Sequence, residues 1–350
     1  MDAPRSTGYD VVVVGAGVIG LACAWRAAQR GLSVLVVERD EPGAGASGVA
    51  AGMLAPVTEA EFGEERLLAL NLAGAELWPS FAAELAERSG LDTGFRASGA
   101  LVAAVDRDDG DELRRLYAFQ KSLELDVEWV GGRDARKLEP RLSPRVSGAI
   151  HAAGEAHVEP RSVVRALVAA LAHEGGEVAR GNVAAVAPDS VTLAGGARVA
   201  AGRVVAAAGC WTGEFENAPR VRPVKGQILR LRGSEQLTER LVRTPRCYVV
   251  SRADGEVVVG ATAEERGFDT SVTAGGVRRL LEAAWEVLPE IEELELVETA
   301  ARLRPATPDN VPVIGESDGV IWATGHYRNG VLLAPVTAEQ VATMLEPVVA

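Results

Sequence analysis

Two short apolar runs separated by an alanine-rich segment open the chain. Residues 10–15, Asp-Val-Val-Val-Val-Gly, form an unbroken hydrophobic run, which is typical of a central parallel strand covered on both faces. The stretch from Ile19 to Arg30 has helical composition and stops at Gly31, a residue suited to a helix C-terminus. A second apolar run, residues 33–38, comes next. This strand–helix–strand order predicts a βαβ unit and therefore a parallel sheet.

Later segments repeat this pattern, with a second kind of structure between them. Further apolar strands and helices are predicted at 163–172, 203–209, 320–325 and 330–344. Helices are predicted at 64–89, 111–125 and 275–288. Strands of a second, more antiparallel sheet are predicted at 246–251, 257–260 and 294–303. We therefore expect an α/β protein with two interleaved domains. The first domain would comprise residues 1–85, 145–215 and 304–350, and the second residues 86–144 and 216–303.

Composition excludes several classes of protein. The 350 residues carry a net charge of −13 and are 47% hydrophobic, which disfavours disorder and a sequence-independent grip on nucleic acid. Three scattered cysteines favour a reducing compartment, and four histidines without ligand spacing predict no metal site. Residues 1–9 do not resemble a signal peptide, and no apolar run is long enough to span a membrane. We expect a cytoplasmic protein without nucleic-acid or membrane partners.

A glycine-rich turn lies between the first strand and the first helix. In Gly15-x-Gly17-x-x-Gly20, the first glycine permits a tight turn, the second admits a pyrophosphate, and the third lets helix and strand pack closely. The helix N-terminus offers free N–H groups to phosphates. Glu38, at the end of the second strand, can accept hydrogen bonds from a ribose diol and would repel a 2′-phosphate. These features predict a dinucleotide site.

Three further segments favour a flavin over a nicotinamide. Residues 43–54 are small and can lie along an extended pyrophosphate, with the Ser47 hydroxyl and backbone N–H groups forming an anion nest. A short Ala-Ala-Ala-Gly209-Cys-Trp211 segment follows a predicted strand. The Gly325–Gly330 turn precedes a helix whose N-terminus could stabilise negative charge at the N1/C2=O end of a reduced flavin.

With these motifs in order, the chain resembles the FAD-dependent D-amino-acid oxidase superfamily, and within it the bacterial glycine oxidases of thiamine biosynthesis. The resemblance runs from Tyr9 to about Met344. Besides the glycine fingerprint, its motifs are Ala50-Ala-Gly-Met53-Leu54, His157-Val-Glu-Pro160, Pro223-Val-Lys-Gly226, Cys247-Tyr248, Val258-Val-Gly260-Ala-Thr262, Leu303-Arg304-Pro305 and Gly325-His-Tyr-Arg328-Asn-Gly330.

This resemblance implies a Rossmann-like (GR2-type) FAD-binding domain and a second α+β substrate domain built on a largely antiparallel sheet. It also implies non-covalent FAD, oxidative deamination of glycine and other small amines with O2 as the electron acceptor, and a homo-oligomer, possibly a tetramer. The products would be glyoxylate, ammonia and H2O2, with the imine available for the thiamine thiazole. The residues expected to contact FAD are Gly15, Gly17, Val18, Ile19, Gly20, Glu38, Arg39, Ser47, Ala51, Gly52, Met53, Val183, Gly209, Trp211, His326, Tyr327, Arg328, Asn329, Gly330 and Val331.

The resemblance also places the substrate carboxylate against Tyr248, Arg304 and Arg328, with Met53 lining the pocket. Arg302 stands where the family usually has a small residue, and Arg246 where a relative has histidine, so both could alter the pocket. Arg302 and Arg304 are two apart in a predicted strand and would share one face.

Other activities remain open at this point. They are a sarcosine oxidase, a D-amino-acid oxidase or an amino-acid dehydrogenase of the same fold, and a protein in which FAD is only structural. Duller roles also stay open for the site residues: Arg304 could pair with a carboxylate, Arg328 could cap a helix, and His326 could be structural.

Overall fold

The structure is a computed structural model that describes residues 8–346. Its strands are β1 Tyr9–Val14, β2 Val34–Glu38, β3 Met53–Leu54, β4 Ala100–Ala104, β5 Glu128–Gly131, β6 Gly148–Ala152, β7 Ala156–His157, β8 Glu177–Arg180, β9 Val183–Ala187, β10 Ser190–Leu193, β11 Arg198–Ala206, β12 Arg222–Arg232, β13 Leu241–Arg243, β14 Tyr248–Ser251, β15 Glu256–Gly260, β16 Glu295–Ala306, β17 Val313–Ser317 and β18 Val320–Thr324. Its α-helices are α1 Val18–Gln29, α2 Glu65–Ser89, α3 Arg107–Ser122, α4 Gly132–Leu138, α5 Pro160–His173, α6 Ala274–Val287 and α7 Ala334–Leu345. Short 3-10 turns are Ala46–Gly48, Gly209–Glu214 and Pro289–Glu293.

The first sheet has the order β17-β18-β11-β1-β2-β8, with the β9–β10 hairpin attached to β11. Strands β18, β11, β1, β2 and β8 run parallel, and β17 is an antiparallel edge strand. Alternate valines of β1 pack into two clusters, Val11 and Val13 with the helices α1, α5 and α7, and Val12 and Val14 with the opposite face. The predicted buried parallel strands are therefore confirmed.

The second sheet has the order β16-β12-β15-β14-β13-β4-β6-β5 and is antiparallel except for the β13–β4 pair. Helix α6 covers one face, where Leu280 and Ala284 pack with Leu229 and Val259. The two sheets together confirm the predicted α/β fold class with a largely antiparallel second sheet.

Several elements begin at residues other than those expected, and local hydrogen bonds explain the differences. Helix α3 begins at Arg107 because the Asp106 carboxylate accepts a hydrogen bond from the Asp109 N–H at 2.9 Å. Helix α7 begins at Ala334, after a turn in which the Leu333 N–H donates to the Asn329 carbonyl at 2.9 Å. Residues 244–247 form the β13–β14 turn, so the following strand begins at Tyr248.

One strand falls on the other side of the expected domain division. Strand β6 pairs with β4 and β5 in the second sheet, although we assigned residues 145–215 to the first domain. The chain passes from one sheet to the other several times, and no pattern in the sequence marks each of these passages. The division into two domains stays a prediction, and residues 1–7 and 347–350 of the first domain lie outside the described residues.

Three further observations concern membrane-spanning helices, metal ligands and cysteines. Within residues 8–346, no helix is long and apolar enough to cross a membrane, and no group of three or more His, Cys, Asp or Glu side chains is arranged to hold a metal ion. Cys23, Cys210 and Cys247 are buried free thiols.

Candidate active site

A cavity of about 660 Å³ lies where the parallel sheet meets the second sheet. The N-terminus of α1, residues 37–53 and the end of β11 line one side, and β12, β14 and β16 line the other. The predicted site residues that line the cavity are Gly15, Gly17, Val18, Ile19, Glu38, Arg39, Ser47, Ala51, Gly52, Met53, Val183, Gly209, Trp211, Tyr248, Arg304, His326, Tyr327, Arg328, Gly330 and Val331. Gly20 and Asn329 are not among the lining residues.

The three glycines of the turn differ in what they make room for. Gly15 has a φ of +102°, and an added Cβ would lie 2.6 Å from the Ala207 carbonyl oxygen. A Cβ at Gly20 would lie 1.9 Å from the Gly15 carbonyl oxygen, so this position needs glycine for packing although it does not line the cavity. Gly17 precedes α1 and leaves its N-terminus open to the cavity.

Two oxygen-bearing side chains organise the turn. The Glu38 carboxylate accepts hydrogen bonds from the Ala16 N–H at 2.6 Å and the Asp40 N–H at 2.9 Å, which fixes it at the cavity wall. The Ser47 Oγ accepts from the Val18 N–H, the first of α1, at 3.0 Å. Because the Ser47 Oγ is the acceptor in this hydrogen bond, its own proton is available to a phosphate oxygen at the helix N-terminus.

Aromatic and cationic side chains surround one end of the cavity. The Arg39 guanidinium lies 4.2 Å from the centroid of the Trp211 ring, and the Phe268 ring lies 6.3 Å from Trp211. Val183 lines the same cavity from the β9–β10 hairpin. This end follows the carboxyl ends of β1 and β2, where an adenosine is bound in Rossmann-like folds.

Arg304 and Tyr248 project into the cavity from the second sheet, and two glycines make room for them. A Cβ at Gly226 would lie 2.6 Å from the Cζ and both Nη atoms of Arg304, and a Cβ at Gly260 would lie 2.2 Å from the Tyr248 hydroxyl. Arg304 Nη1 donates to the Thr262 carbonyl at 3.0 Å. Burial raises the pKa of Tyr248, and the charge of Arg304 acts in the opposite direction.

Met53 is held in the cavity lining by the short β3–β7 ladder, in which it pairs with His157. The preceding Gly52 has a φ of +84°, and its Cβ would lie 2.1 Å from the Val158 carbonyl oxygen. Met53 and Tyr248 both pack against one apolar cluster that includes Ala51 and Val250. Residues 51–53 therefore meet the second sheet at this part of the cavity.

Arg328 lines the cavity as predicted; its Nη groups face carboxylates, and its buried Nε has no hydrogen-bond partner among the described residues. It pairs with Glu64, and its Nη2 lies 3.4 Å from Glu61 Oε1. Its side chain is only 17% exposed. These ion pairs tie the segment before α2 to the Gly325–Gly330 turn, and the contact of Arg328 with a substrate carboxylate stays a prediction.

The Gly325–Gly330 turn is fastened to the strand that carries Arg304. The Tyr327 N–H donates to the Pro305 carbonyl at 2.8 Å. His326 is buried, with its Nε2 2.9 Å from the Thr337 hydroxyl, and burial lowers its pKa to about 3. A neutral histidine held in this way fixes the turn, and its contact with FAD stays a prediction. Asn329 is buried behind the turn, since its carbonyl accepts from Leu333 while its side chain does not line the cavity.

Comparison with known proteins agrees with this geometry. The family model described as FAD dependent oxidoreductase matches residues 10–344. The chain belongs to this family. A glycine oxidase from Geobacillus kaustophilus is 35% identical over 352 residues, covering 97% of this chain and 93% of the relative. A protein from Rhizobium etli, named as a thiamine biosynthesis oxidoreductase ThiO, is 35% identical and covers 96% of both chains.

A crystal structure supports the same assignment. The glycine oxidase of Geobacillus kaustophilus superimposes with a TM-score of 0.91 at 34% identity, covering 98% of this chain and 96% of that one. The comparisons confirm the predicted family, the α/β fold class, FAD as the cofactor and a flavoprotein amine oxidase as the class of enzyme.

The residues present fit FAD in this FAD-dependent oxidoreductase. The turn at Gly15, the open N-terminus of α1 and the fixed Glu38 carboxylate match a pyrophosphate and a ribose diol. Of the three cysteines, Cys210 is the one that lines the cavity, and burial raises its pKa to about 12. Such a thiol is a poor nucleophile, which agrees with a non-covalent cofactor.

The structure separates the two unusual arginines. Arg246 pairs with Asp106, Asp109 and Glu286 and does not line the cavity, so it does not alter the pocket as we expected it could. Its strand begins only two residues later, and the side chain turns towards α3 and α6. Arg302 lines the cavity with Arg304, as their spacing predicted.

Sequence reasoning missed several cavity residues. Glu59, which pairs with Arg243 at 3.3 Å, comes from the segment before α2, and Thr270 comes from the segment after β15. Neither segment has a regular pattern. The acidic run around residues 59–65, close behind the Met53 motif, was the one available signal.

Proposed function

We propose that this enzyme oxidises glycine and other small amino acids to the imine, which water hydrolyses to glyoxylate and ammonia, while O2 is reduced to H2O2. The balance is glycine plus O2 plus water giving glyoxylate, ammonia and H2O2. What supports the proposal most is the placement of Arg304 and Tyr248 in the cavity, which Met53 also lines. The glycine oxidase and ThiO relatives support the same substrate class and a supply of imine to the thiamine thiazole.

When bound, FAD supplies the hydride acceptor at N5 and the route of the electrons to O2. Arg304 offers a planar fork that donates two parallel hydrogen bonds to a carboxylate. The Tyr248 hydroxyl donates a third hydrogen bond, and because burial raises its pKa, the hydroxyl keeps its proton. Fixing the carboxylate at these two side chains restricts where the substrate Cα can lie within the cavity.

The side chains contribute positioning rather than proton transfer. His326 is neutral and its Nε2 is engaged by Thr337, so it does not act as a base near neutral pH. Arg328 is held at the cavity by its ion pairs with Glu64 and Glu61, and it could also contact the substrate carboxylate. In this account the substrate binds with its amine neutral, and rate comes from holding the C–H bond in place.

The test is a product and acceptor assay on the purified holoenzyme. With glycine in air we expect equal amounts of glyoxylate and H2O2. Dye reduction without H2O2 would show that the protein is a dehydrogenase, and faster turnover of sarcosine or D-alanine would show that glycine is not the preferred substrate.

The cytoplasmic location and the homo-oligomer also remain proposals. The three free buried thiols support the first, and sedimentation would test the second.

A further inference from the structure

Arg302 lies two residues before Arg304 in β16, and it contacts residues 43–52, here called the cofactor loop. Its Nε donates to the Ala44 carbonyl at 2.9 Å, and its Nη1 donates to the Ala301 carbonyl of its own strand at 2.8 Å. Ala44, Gly45 and Arg302 all line the cavity. The guanidinium therefore joins β16 of the substrate sheet to the segment that faces the cofactor.

Three other arginines hold carbonyl groups of the same loop. Arg161 Nε donates to the Gly48 carbonyl at 2.8 Å, and Arg230 Nη2 lies 3.4 Å from the same oxygen. Arg252, which is buried, donates to the Ala51 carbonyl at 2.9 Å. These side chains come from α5, from β12 and from the turn after β14. The backbone carbonyl groups of Ala44, Gly48 and Ala51 thus accept hydrogen bonds from arginine side chains of other elements.

The hold on these carbonyls determines where the neighbouring N–H groups point. In a trans peptide unit, the C=O of one residue and the N–H of the next point in opposite directions. A carbonyl of Ala44 held by Arg302 therefore turns the Gly45 N–H away from Arg302, and the hold on Ala51 does the same for the Gly52 N–H. Neither N–H has a hydrogen-bond acceptor within residues 8–346, although both glycines line the cavity.

We propose that Arg302 is a positioning residue for FAD: together with Arg252, it orients the peptide units 44–45 and 51–52 so that their N–H groups bind the cofactor. When FAD is bound, the positive charge of Arg302 would act in the same direction on the cofactor's phosphates. Arg302 lines the same cavity as Arg304. In this proposal Arg302 binds the cofactor loop, whereas Arg304 binds the substrate carboxylate. This inference rests on FAD binding and is independent of whether glycine is the substrate.

The test is the affinity of the apoprotein for FAD, measured by quenching of flavin fluorescence at low and high salt. Arg302→Ala removes a charged hydrogen-bond donor from an exposed position, and we expect the Kd of FAD to rise about tenfold, less at high salt. Arg302→Lys keeps the charge and one donor and should recover much of the affinity. Arg278→Ala is the matched control, because Arg278 is an exposed arginine of α6 paired with Glu282 and absent from the cavity.

The apoprotein supplies the second readout. We expect the thermal midpoint of apo Arg302→Ala to equal that of the wild type, because the side chain is exposed and acts on the loop that binds FAD. An unchanged FAD Kd would overturn the inference. So would an apoprotein midpoint lowered enough to account for the weaker binding, or a rise in the KM for glycine with the FAD Kd unchanged. If no small amine reduces the flavin while the FAD Kd still shifts, the proposed substrate fails and this inference stands.

Discussion

Gly226→Ala is the sharpest perturbation of the substrate site. The added methyl would lie 2.6 Å from the Cζ, Nη1 and Nη2 atoms of Arg304. Because non-bonded heavy atoms are ordinarily separated by roughly 3.5 Å, the guanidinium must move away from the added methyl group by about 1 Å. Gly226 has no left-handed φ, and the displaced group is the far end of a flexible side chain, so the free energy of unfolding should change by less than about 1 kcal/mol.

A displacement of this size is costly for catalysis. A reactant misplaced by about 1 Å loses roughly 100-fold in rate, equivalent to about 2.7 kcal/mol. We expect kcat/KM for glycine to fall by about that factor while FAD content and the thermal midpoint stay near wild type. The assay is steady-state H2O2 formation with glycine, alongside thermal denaturation.

The matched control is Gly315→Ala in β17, where the added methyl would meet no atom within 4 Å. This variant should keep its activity and stability. If Gly226→Ala retains the wild-type kcat/KM, Arg304 does not hold the substrate carboxylate, and the reasoning is refuted.

Three other predictions concern single side chains. Arg304→Ala should lower kcat/KM for glycine at least about 100-fold, from a loss of ~2–5 kcal/mol, and should affect an amine without a carboxylate much less; equal losses would show that Arg304 only shapes the protein. Glu38→Arg should reduce FAD occupancy in a folded protein, and an unchanged flavin content would mean that Glu38 does not contact the ribose. Burial raises the pKa of Glu155, which accepts hydrogen bonds from Val57 and Thr58, to about 7. Since the unfolded carboxyl ionises near 4.5, the free energy of unfolding should fall as pH rises from 4.5 to 7, by up to about 3 kcal/mol, and urea denaturation of Glu155→Gln should show a weaker dependence.

Local patterns predicted the cofactor side of the cavity well. The alternation of apolar residues and the spacing of Gly15, Gly17 and Gly20 depend on contacts close in sequence, so the turn, the helix and Glu38 lie where we expected them. Gly15 and Gly20 also have distinct steric reasons that the structure shows directly. The family motifs added Tyr248 and Arg304, whose juxtaposition depends on the register of β12, β14, β15 and β16.

Contacts between distant segments could not be predicted in the same way. The engagement of Arg328 by Glu64 joins residues far apart in the chain, and no spacing rule indicates it. The same is true of Arg302 and Ala44, and of Arg246, which packs against α3 and α6 instead of the pocket. A charged side chain in an irregular segment has many possible partners, and only the folded chain selects among them.

The measurement that tests the central claim most directly is anaerobic reduction of the bound flavin by glycine, followed by admission of air. We predict that glycine bleaches the flavin absorbance of the wild type, that air restores it with release of H2O2, and that Arg304→Ala requires far more glycine for the same bleaching. A flavin that stays oxidised with glycine, sarcosine, D-alanine and D-proline alike would contradict the account.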